Sequence, residues 1–420
     1  MTLPQLTLRA EACQRATERN YPDCVSKTSV VVVGGCGHVG LPLAMVLASK
    51  GLNVVSYDIN TSVVAQVNAG RMPFDEPGAD DLLRKVLDTE RFRASDDPHV
   101  VSDAEHVVIV IGTPVDEHLN PDPSAVVNAI ADISKFFRPG QHLVLRSTIY
   151  PGVTRLVEHL MAELDLAVDV TFCPERIAEG KALEELESLP QIISGRTPAA
   201  VARARSLFAH LTNNLIETLP EEAELAKLFT NTWRYIKFAA ANQFFMIAND
   251  YGLDFERVRS AITTDYPRAA DMPGAGFAAG PCLFKDTMQL AAFNNNNFAI
   301  GHASMLVNEG LPLYLVSRLE REHDLKSMTV GILGMAFKGD SDDTRSSLSY
   351  KLRRILEFKA GDVLCADSNV SDDPQLISEQ QLLEDADLII IGTPHTRYRK
   401  LATNKPLVDI WNTQGQGTRV

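Results

Sequence analysis

The chain has 420 residues, of which 45% are hydrophobic and 22% charged, and its formal net charge is −14. This length predicts two or three domains with buried cores, and the acidic balance argues against general binding to nucleic acid or to an anionic membrane surface. No run reaches the roughly 18 apolar residues of a membrane span, and residues 1–27 lack the apolar core of a secretory signal, so we expect a cytoplasmic protein.

The first half of the chain alternates strand-like and helix-like segments. Residues 1–27 are expected to form an extension with a short helix near residues 8–18, and residues 41–50 a helix closed by Gly51. The predicted strands are residues 29–33, 53–57, 106–111, 142–146 and 169–173. Strands that alternate with helices indicate βαβ units and a parallel sheet covered on both faces.

The middle of the chain is different. Residues 221–251 contain neither Pro nor Gly and carry apolar residues at helical spacing, which predicts one helix of ~45 Å that links or dimerises domains. A loop rich in Gly, Ala and Pro follows at residues 271–281, and helical pattern resumes around Arg318.

Near Met328 the strand and helix alternation restarts, with strands predicted at residues 329–333, 362–366, 388–391 and 407–410. The two alternating regions share a faint repeat: Asp-Ala-acid precedes a strand ending in Ile-Gly-Thr-Pro at both 103–114 and 385–394. The predicted fold class is therefore α/β, with two Rossmann-like domains joined by a central long helix or helical domain.

A glycine-rich loop, Gly35-Cys36-Gly37-His38-Val39-Gly40, ends the first strand and opens the first helix. In a dinucleotide site the three glycines permit the tight turn, the approach of the pyrophosphate and the packing of helix on sheet, while the helix amino terminus attracts the phosphates. Asp58, at the end of the next strand, would bond the ribose hydroxyls and repel a 2′-phosphate. The pattern favours NAD over NADP.

Seven motifs, in this order, resemble the nucleotide-sugar 6-dehydrogenase family, which includes the UDP-glucose and UDP-N-acetylhexosamine enzymes. The resemblance covers about residues 29–413, and its motifs are Gly35 to Gly40, Glu76-Pro77-Gly78, Ser147-Thr148, Pro174 to Gly180, Lys227 with Asn231, Gly280 to Asp286, and Phe337 to Arg345.

The resemblance implies four domains or segments: an extension (1–27), an NAD-binding Rossmann-like domain (28–219), a central helical dimerisation domain that carries a cysteine loop (220–325), and a carboxy-terminal Rossmann-like domain for the nucleotide sugar (326–420). It also implies oxidation of the sugar C6 alcohol to a carboxylate with two NAD⁺, in a homodimer. The departure at Gly280-Pro281 points to the branch that handles N-acetylated sugars, whereas Cys36 and His38 stand where many members have an apolar residue and a Tyr.

The six cysteines are scattered, with no CxxC, so neither a disulfide framework nor a metal site is predicted. Cys282 is the exception among otherwise structural cysteines. A cysteine that adds to the intermediate aldehyde retains it as a thiohemiacetal, which yields a thioester after the second oxidation. By resemblance, Lys227 and Asn231 act on the C6 oxygen, Asp286 holds a bridging water, Glu175 activates water against the thioester, and Thr148 holds a water or the reacting oxygen.

The remaining site residues are also implied by the resemblance. For the cofactor they are Gly35, Gly37, His38, Val39, Gly40, Asp58, Thr113, Pro114 and Thr148. For the substrate they are Glu179, Lys227, Asn231, Arg268, Lys338 and Arg345, among which Arg268 reaches into the partner subunit's site.

Two other functions compete with this one. A two-electron dehydrogenase of the hydroxyacid type shares the NAD domain and a catalytic Lys, but needs neither Cys282 nor residues 328–413. A non-catalytic NAD-sensing protein would be expected to have lost Cys282, Lys227 or Asp286. The sequence leaves the hexose and the nucleotide open among UDP-glucose, dTDP-glucose and UDP-N-acetylhexosamines.

Overall fold

The computed structural model describes residues 29–113, 122–418 and 420, so the helix predicted at residues 8–18 and the cofactor residue Pro114 lie outside the described residues. The strands are β1 (Val30–Val33), β2 (Val54–Tyr57), β3 (Phe92–Ser95), β4 (His106–Ile109), β5 (His142–Leu145), β6 (Asp169–Phe172), β7 (Gln191–Ser194), β8 (Leu215–Thr218), β9 (Thr329–Leu333), β10 (Asp362–Ala366), β11 (Leu388–Ile391) and β12 (Leu407–Val408).

The helices surround these strands and fill the centre of the chain. They are α1 (Gly40–Ser49), α2 (Thr61–Asn68), α3 (Ala79–Asp88), α4 (Ser124–Ile133), α5 (Val153–Glu163), α6 (Ala182–Ser188), α7 (Pro198–Phe208), α8 (Pro220–Asp250), α9 (Phe255–Thr263), α10 (Leu283–Phe293), α11 (Ala299–Glu322), α12 (Leu348–Leu356) and α13 (Glu379–Asp385).

The first sheet has six parallel strands in the order β3-β2-β1-β4-β5-β6. Val30 and Val32 of β1 pack into one apolar core, whereas Val31 and Val33 pack into another on the opposite face. Burial on both faces explains why β1 is an unbroken run of valines. The strand order reverses between β1 and β4, which is where ligands bind in such sheets.

The second sheet repeats the first in smaller form. Its order, β10-β9-β11-β12, matches that of β2-β1-β4-β5, and its strands are also parallel. The repeated Asp-Ala-acid motif precedes β4 in one sheet and β11 in the other, its equivalent. Gly34 and Gly334 follow β1 and β9 with positive φ angles of 73° and 93°. The predicted fold class of two Rossmann-like domains is confirmed.

Helix α8 joins the two sheets. It has 31 residues and begins at Pro220, where the Glu222 side chain accepts a hydrogen bond from Leu219 N at 2.9 Å. Near its start Ala223 packs in the core of the first sheet, and near its end Phe245 packs in a core shared with β9 and β11. One rigid element therefore fixes both sheets relative to the helices α10 and α11 that pack on it.

The predicted strands at residues 329–333, 362–366 and 388–391 coincide with β9, β10 and β11. Three strands, β3, β7 and β8, were not predicted. β7 and β8 form a separate two-stranded sheet, and β8 lies partly exposed with charged Glu217 in its sequence, so it lacks the apolar run that marks a buried strand. Within the described ranges, no helix has the length and apolar character needed to cross a bilayer.

Candidate active site

The glycine-rich loop lies at the carboxyl edge of the first sheet. Gly34 N and Gly35 N donate to Tyr57 O at 2.9 and 3.0 Å, which folds the loop over β2. A Cβ on Gly35 would lie 2.5 Å from Val32 O, and one on Gly40 would lie 2.5 Å from Gly34 O. A Cβ on Gly37 would meet only Gly34 O at 3.9 Å, so this glycine faces open space. The loop leaves room for a ligand at Gly37.

The start of α1 provides donors at this opening. No side chain caps the helix, and no acidic residue lies in its first turn, which is the arrangement that binds phosphate at a helix amino terminus. Asp58 lies beside the loop, where its carboxylate accepts from Cys36 N at 3.2 Å and from Asn60 N at 3.1 Å. Burial and the nearby Asp58 raise the pKa of the Cys36 thiol to about 12, so Cys36 is an inert core side chain.

The loops after β4 and β5 form the next part of the same edge. Thr113 Oγ1 donates to Thr148 O at 2.7 Å, while Ser147 Oγ accepts from Ile111 N at 2.8 Å. The Thr148 hydroxyl forms no hydrogen bond with any residue that the structure describes. Lys285 Nζ donates to Thr113 O at 3.1 Å and contacts Thr113 Oγ1 at 3.2 Å. The helix that carries Lys285 is therefore tied to the cofactor edge of the first sheet.

Cys282 stands at the amino terminus of α10 and is exposed. Gly280, two residues before it, has a φ of 101°, and a Cβ there would lie 2.6 Å from the Phe337 ring. Glycine thus lets the cysteine loop pack against the carboxy-terminal sheet's first loop. Desolvation by the surrounding protein raises the pKa of the Cys282 thiol, and the charge of Asp286 raises it further. The positive charges of Lys227 and Lys285 lower it.

Asn231 and Asp286 meet next to this cysteine. Asn231 Nδ2 donates to Asp286 Oδ2 at 2.6 Å, and both side chains are buried. Asp286 Oδ1 accepts no hydrogen bond in the described chain, although Lys285 Nζ lies 3.5 Å away. Lys227, one turn before Asn231 on α8, is partly buried, and its Nζ has no hydrogen-bond or salt-bridge partner among the described residues. The structure brings together Cys282, Lys227, Asn231 and Asp286. Among the described residues, Asp286 Oδ1 accepts no hydrogen bond and Lys227 Nζ donates none.

Glu175 is placed differently. Its Oε2 pairs with the fully buried Arg146, and its Oε1 accepts from Arg176 N at 2.7 Å and Ile177 N at 3.0 Å. Arg146 also donates to Cys173 O at 3.0 Å. Both carboxylate oxygens are thus occupied by partners outside the cysteine cluster.

Glu179 links the first sheet to the second. Its Oε1 lies 2.8 Å from His38 Nδ1 and 3.3 Å from Arg345 Nη2, and its carbonyl oxygen accepts from Lys338 Nζ. Asp343 holds Arg345 through contacts of 2.5 to 3.0 Å to Nε and Nη2. The structure brings Lys338 and Arg345 to the same cleft as Glu179.

Arg268 lies apart from this cluster. It is exposed, and its polar and ring contacts in the described chain are with Tyr266, at 3.4 Å from the phenol oxygen and 5.9 Å from the ring centroid.

Sequence reasoning missed three contributors. Lys285 lies within the Gly280 to Asp286 motif and was given no role, yet it connects the helix that follows Cys282 to Thr113. The Arg146 pairing of Glu175 had no sequence signal, since Arg146 stands in a strand-like run. Ile59, directly after Asp58, is 83% exposed, and an apolar residue beside a ribose-binding carboxylate would have been a signal for an adenine contact.

Comparison with known proteins places these features in context. Three sequence models of the UDP-glucose/GDP-mannose dehydrogenase family match the chain: the NAD binding domain at residues 28–212, the central domain at 221–309, and the UDP binding domain at 331–415.

The chain is similar to a UDP-N-acetyl-D-mannosamine dehydrogenase of Pyrococcus horikoshii, with 31% identity over 88% of this chain and 90% of that protein. It is 28% identical to an NDP-N-acetyl-D-galactosaminuronic acid dehydrogenase of Ralstonia nicotianae, over 89% and 93% of the two chains. Its fold matches the structure of a UDP-glucose dehydrogenase from Pyrobaculum islandicum with a TM-score of 0.84, 28% identity, and coverage of 96% and 99%.

Proposed function

Since the chain belongs to the UDP-glucose/GDP-mannose dehydrogenase family and is an NAD-dependent dehydrogenase, we propose that it oxidises the C6 hydroxymethyl group of a nucleoside-diphosphate hexose to the carboxylate. The observation that carries this proposal is the exposed Cys282 beside the Asn231–Asp286 pair, on a helix that Lys285 ties to Thr113 at the cofactor edge. A nucleophile in that place can hold a substrate through two successive oxidations.

The residues at the first sheet fit NAD⁺. The open side of Gly37 and the uncapped start of α1 suit the pyrophosphate, and the Asp58 carboxylate suits the adenine ribose. The exposed Ile59 suits a face of the adenine ring. When bound, NAD⁺ supplies the hydride acceptor for both oxidations.

The cysteine cluster provides the groups that the sugar needs. As an ammonium, Lys227 stabilises the C6 alkoxide; as a neutral amine, it takes the proton of the C6 hydroxyl through a water. The second N–H of Asn231 donates to the same oxygen. Asp286 Oδ1, which accepts no hydrogen bond from a described residue, accepts one from that water. Cys282 Sγ then adds to the aldehyde carbon to form a thiohemiacetal, and the second oxidation leaves a thioester on the sulfur.

Hydrolysis of the thioester requires a base, for which Glu175 is proposed. A water attacks the thioester carbon, its proton passes to the base, the carbon–sulfur bond breaks, and the thiol is restored. In this structure both carboxylate oxygens of Glu175 already accept hydrogen bonds, one from Arg146 and the other from two backbone amides. Base catalysis by Glu175 therefore requires that one carboxylate oxygen leave its partners when the thioester forms, and Thr148 remains available to hold the water.

The substrate's diphosphate needs cations, and Lys338 and Arg345 are proposed to bind it. Burial lowers the pKa of Lys338, while the neighbouring carboxylates, Glu179 first, oppose that effect. Among hexoses, we favour a UDP-N-acetylhexosamine, because Gly280-Pro281 before the nucleophile resembles the branch for N-acetylated sugars and two relatives named above act on such sugars.

The working unit is proposed to be a homodimer. Four apolar side chains on α8 are exposed, as is Tyr251 directly after it, and at 100° per residue the five fall within about 60° of one another around the helix axis. We name this set the α8 stripe: Phe229, Trp233, Phe244, Ile247 and Tyr251. A second copy of the chain that covers the stripe would bring its Arg268 toward the neighbouring site.

The experiment that tests this function is a substrate panel of UDP-glucose, dTDP-glucose, UDP-N-acetylhexosamines and GDP-mannose, read by NADH absorbance. Two NADH formed per sugar consumed, with a uronic acid product, supports the proposal. One NADH per sugar supports the two-electron alternative. Cys282→Ser is expected to abolish full turnover, and a normal yield of acid from that variant would overturn the covalent mechanism.

A further inference from the structure

His38 belongs to the glycine-rich loop, but its side chain contacts Phe74 and Glu179, which lie outside that loop. Its ring stacks on Phe74 with centroids 4.1 Å apart and an interplanar angle of 29°. Its Nδ1 lies 2.8 Å from Glu179 Oε1, and this nitrogen is buried and makes no aligned hydrogen bond with a described residue. The contact is therefore an electrostatic approach between a fixed imidazole and a carboxylate.

The same carboxylate oxygen contacts Arg345, one of the two cations proposed for the diphosphate. The backbone around Glu179 cannot shift freely, because the buried Glu76 carboxylate accepts from Gly180 N and Ala182 N, each at 2.8 Å. Because its backbone is fixed, Glu179 contacts both His38 and Arg345 through the same carboxylate oxygen. Any carboxylate that swings fully onto Arg345 competes with the substrate's diphosphate for that guanidinium.

We propose that His38 is a positioning residue: it retains the Glu179 carboxylate on the side of the cofactor loop. Arg345, whose Nε and Nη2 already contact Asp343, is thereby kept from pairing with a second carboxylate in place of the substrate's diphosphate. This inference rests on the proposed function, since it assigns Arg345 to that diphosphate. It gives a reason for a histidine at a loop position that a dinucleotide site by itself does not require.

The test is a double-mutant cycle on His38 and Glu179, with UDP and NADH as separate probes in titration calorimetry. His38→Phe retains a ring for stacking on Phe74 and removes the polar contact. It is expected to weaken UDP binding about tenfold, which equals about 1.4 kcal/mol, with a much smaller change for NADH. His38→Gln, which retains an N–H donor, is expected to restore most of the UDP affinity.

The cycle separates positioning from general damage, because residues that act through one another show non-additive effects. In the Glu179→Gln background, His38→Phe is expected to change UDP affinity little, since the Glu179 carboxylate is gone and the contact of Asp343 with Arg345 is the same in both backgrounds. An equal loss of UDP affinity in both backgrounds would overturn the inference, as would a loss confined to NADH.

A matched control is His99→Phe. His99 also lies beside a carboxylate, Asp97, at 2.7 Å and contacts the Phe136 ring, but it is far more exposed and outside the cleft residues. It is expected to leave UDP affinity unchanged. Failure of the proposed function can be distinguished from failure of this inference, because binding of UDP needs no turnover. A wild-type protein that binds UDP but oxidises no nucleotide sugar would refute the function, and the double-mutant cycle could still be measured. Absence of UDP binding to the wild type would overturn this inference itself.

Discussion

At the scale of single residues, the reactivity of Cys282 depends on the desolvation of its thiol and on the charged groups around it. The surrounding protein and the Asp286 carboxylate raise the pKa of its thiol, while the ammonium groups of Lys227 and Lys285 lower it. A thiol with a raised pKa is mostly protonated at neutral pH, so it is protected from adventitious alkylation and oxidation. Its addition to an aldehyde then requires that its proton be taken within the cluster.

This balance predicts opposite effects on alkylation and on turnover. Asp286→Asn removes the carboxylate that raises the thiol pKa, so the rate of Cys282 alkylation by iodoacetamide at pH 7.5 is expected to rise roughly three- to tenfold, since one pKa unit is a tenfold change in thiolate. Lys227→Met is expected to slow it. Peptide mass spectrometry isolates Cys282 from the other cysteines.

Turnover of the same Asp286→Asn variant is expected to fall by about 10² or more, as for loss of an acid–base partner. Slower alkylation in Asp286→Asn would show that the carboxylate does not control the thiol.

Asp58 carries a second prediction at this scale. Asp58→Ala removes the acceptor for the ribose hydroxyls and the charge that repels a 2′-phosphate. The ratio of kcat/KM for NAD⁺ to that for NADP⁺ is expected to fall by about tenfold or more, in line with the 1.5–3 kcal/mol of a hydrogen bond to a charged group. Steady-state kinetics with both cofactors measure it, and an unchanged ratio would remove Asp58 from cofactor selection.

At the scale of elements, the parallel strands β4 and β5 begin with paired histidines. His106 Nδ1 lies 2.8 Å from His142 Nδ1, and His142 Nε2 contacts Thr171 Oγ1 at 2.9 Å. Burial lowers the pKa of both imidazoles, and Arg203 lowers both further; Glu105 partly opposes this at His106, where His210 adds to the lowering. Both rings are therefore neutral in the folded protein, and one Nδ1 donates a hydrogen bond to the other.

The sign of the pH dependence follows from these lowered pKa values. Below the unfolded histidine value of about 6.5, the unfolded chain takes up protons that the native pair refuses, so the free energy of unfolding falls with falling pH, by at most about 1.4 kcal/mol per pH unit for each histidine. For His106, the loss continues down to its native pKa of about 4.

The double variant His106→Asn/His142→Asn is expected to show a shallower loss of Tm between pH 6.5 and 4.5 than the wild type. His159→Asn, on the exposed side of α5, is the control and should retain the wild-type slope. Identical slopes for all three proteins would mean that the buried pair does not drive acid destabilisation.

At the scale of the whole molecule, the described chain leaves the α8 stripe uncovered and Arg268 without a role in its own cleft. Contiguous exposed aromatic side chains on a helix are typical of an interface. Symmetric pairing through α8 would cover the stripes of both protomers, and the proposed role of Arg268 requires that the same pairing bring each Arg268 to the partner's site.

The stripe predicts a loss of the dimer in Trp233→Glu, because a charge would be buried at the centre of the interface. Light scattering should show a monomer. Phe358→Glu is the matched control, since Phe358 is 87% exposed and lies outside α8, and that variant should remain dimeric. A dimeric Trp233→Glu protein would place the interface elsewhere.

Exchange of Arg268 predicts complementation. Arg268→Ala and Cys282→Ala are each expected to be nearly inactive alone. After co-expression, each mixed dimer has one intact site, so roughly a quarter of all sites, and of wild-type activity, should return. No recovery in a confirmed mixed dimer would show that Arg268 does not act on the partner's site.

Much of this architecture was accessible from the sequence, because strands, glycine turns and the long helix are encoded locally. The valines of β1, the glycines at 35, 37 and 40, and the Pro- and Gly-free α8 each predicted their element, and the repeat at residues 103–114 and 385–394 predicted the second sheet. The strands β3 and β8 were missed because exposed positions interrupt their apolar pattern. The strand β7 was missed although it is buried and directly followed by Gly195.

The sequence by itself determined the α/β class and the NAD cofactor and predicted the site residues, because these depend on short-range pattern and on residue chemistry. Only the tertiary structure decided which of those residues meet. Lys285 reaches Thr113 across 172 positions of sequence, and Glu179 meets Arg345 across 166. The tertiary structure also decided three other features: the ion pair of Glu175 with Arg146, the contact of His38 with Glu179, and the exposure of the α8 stripe. Packing of distant elements sets burial and charge pairing, and no local sequence pattern encodes that packing.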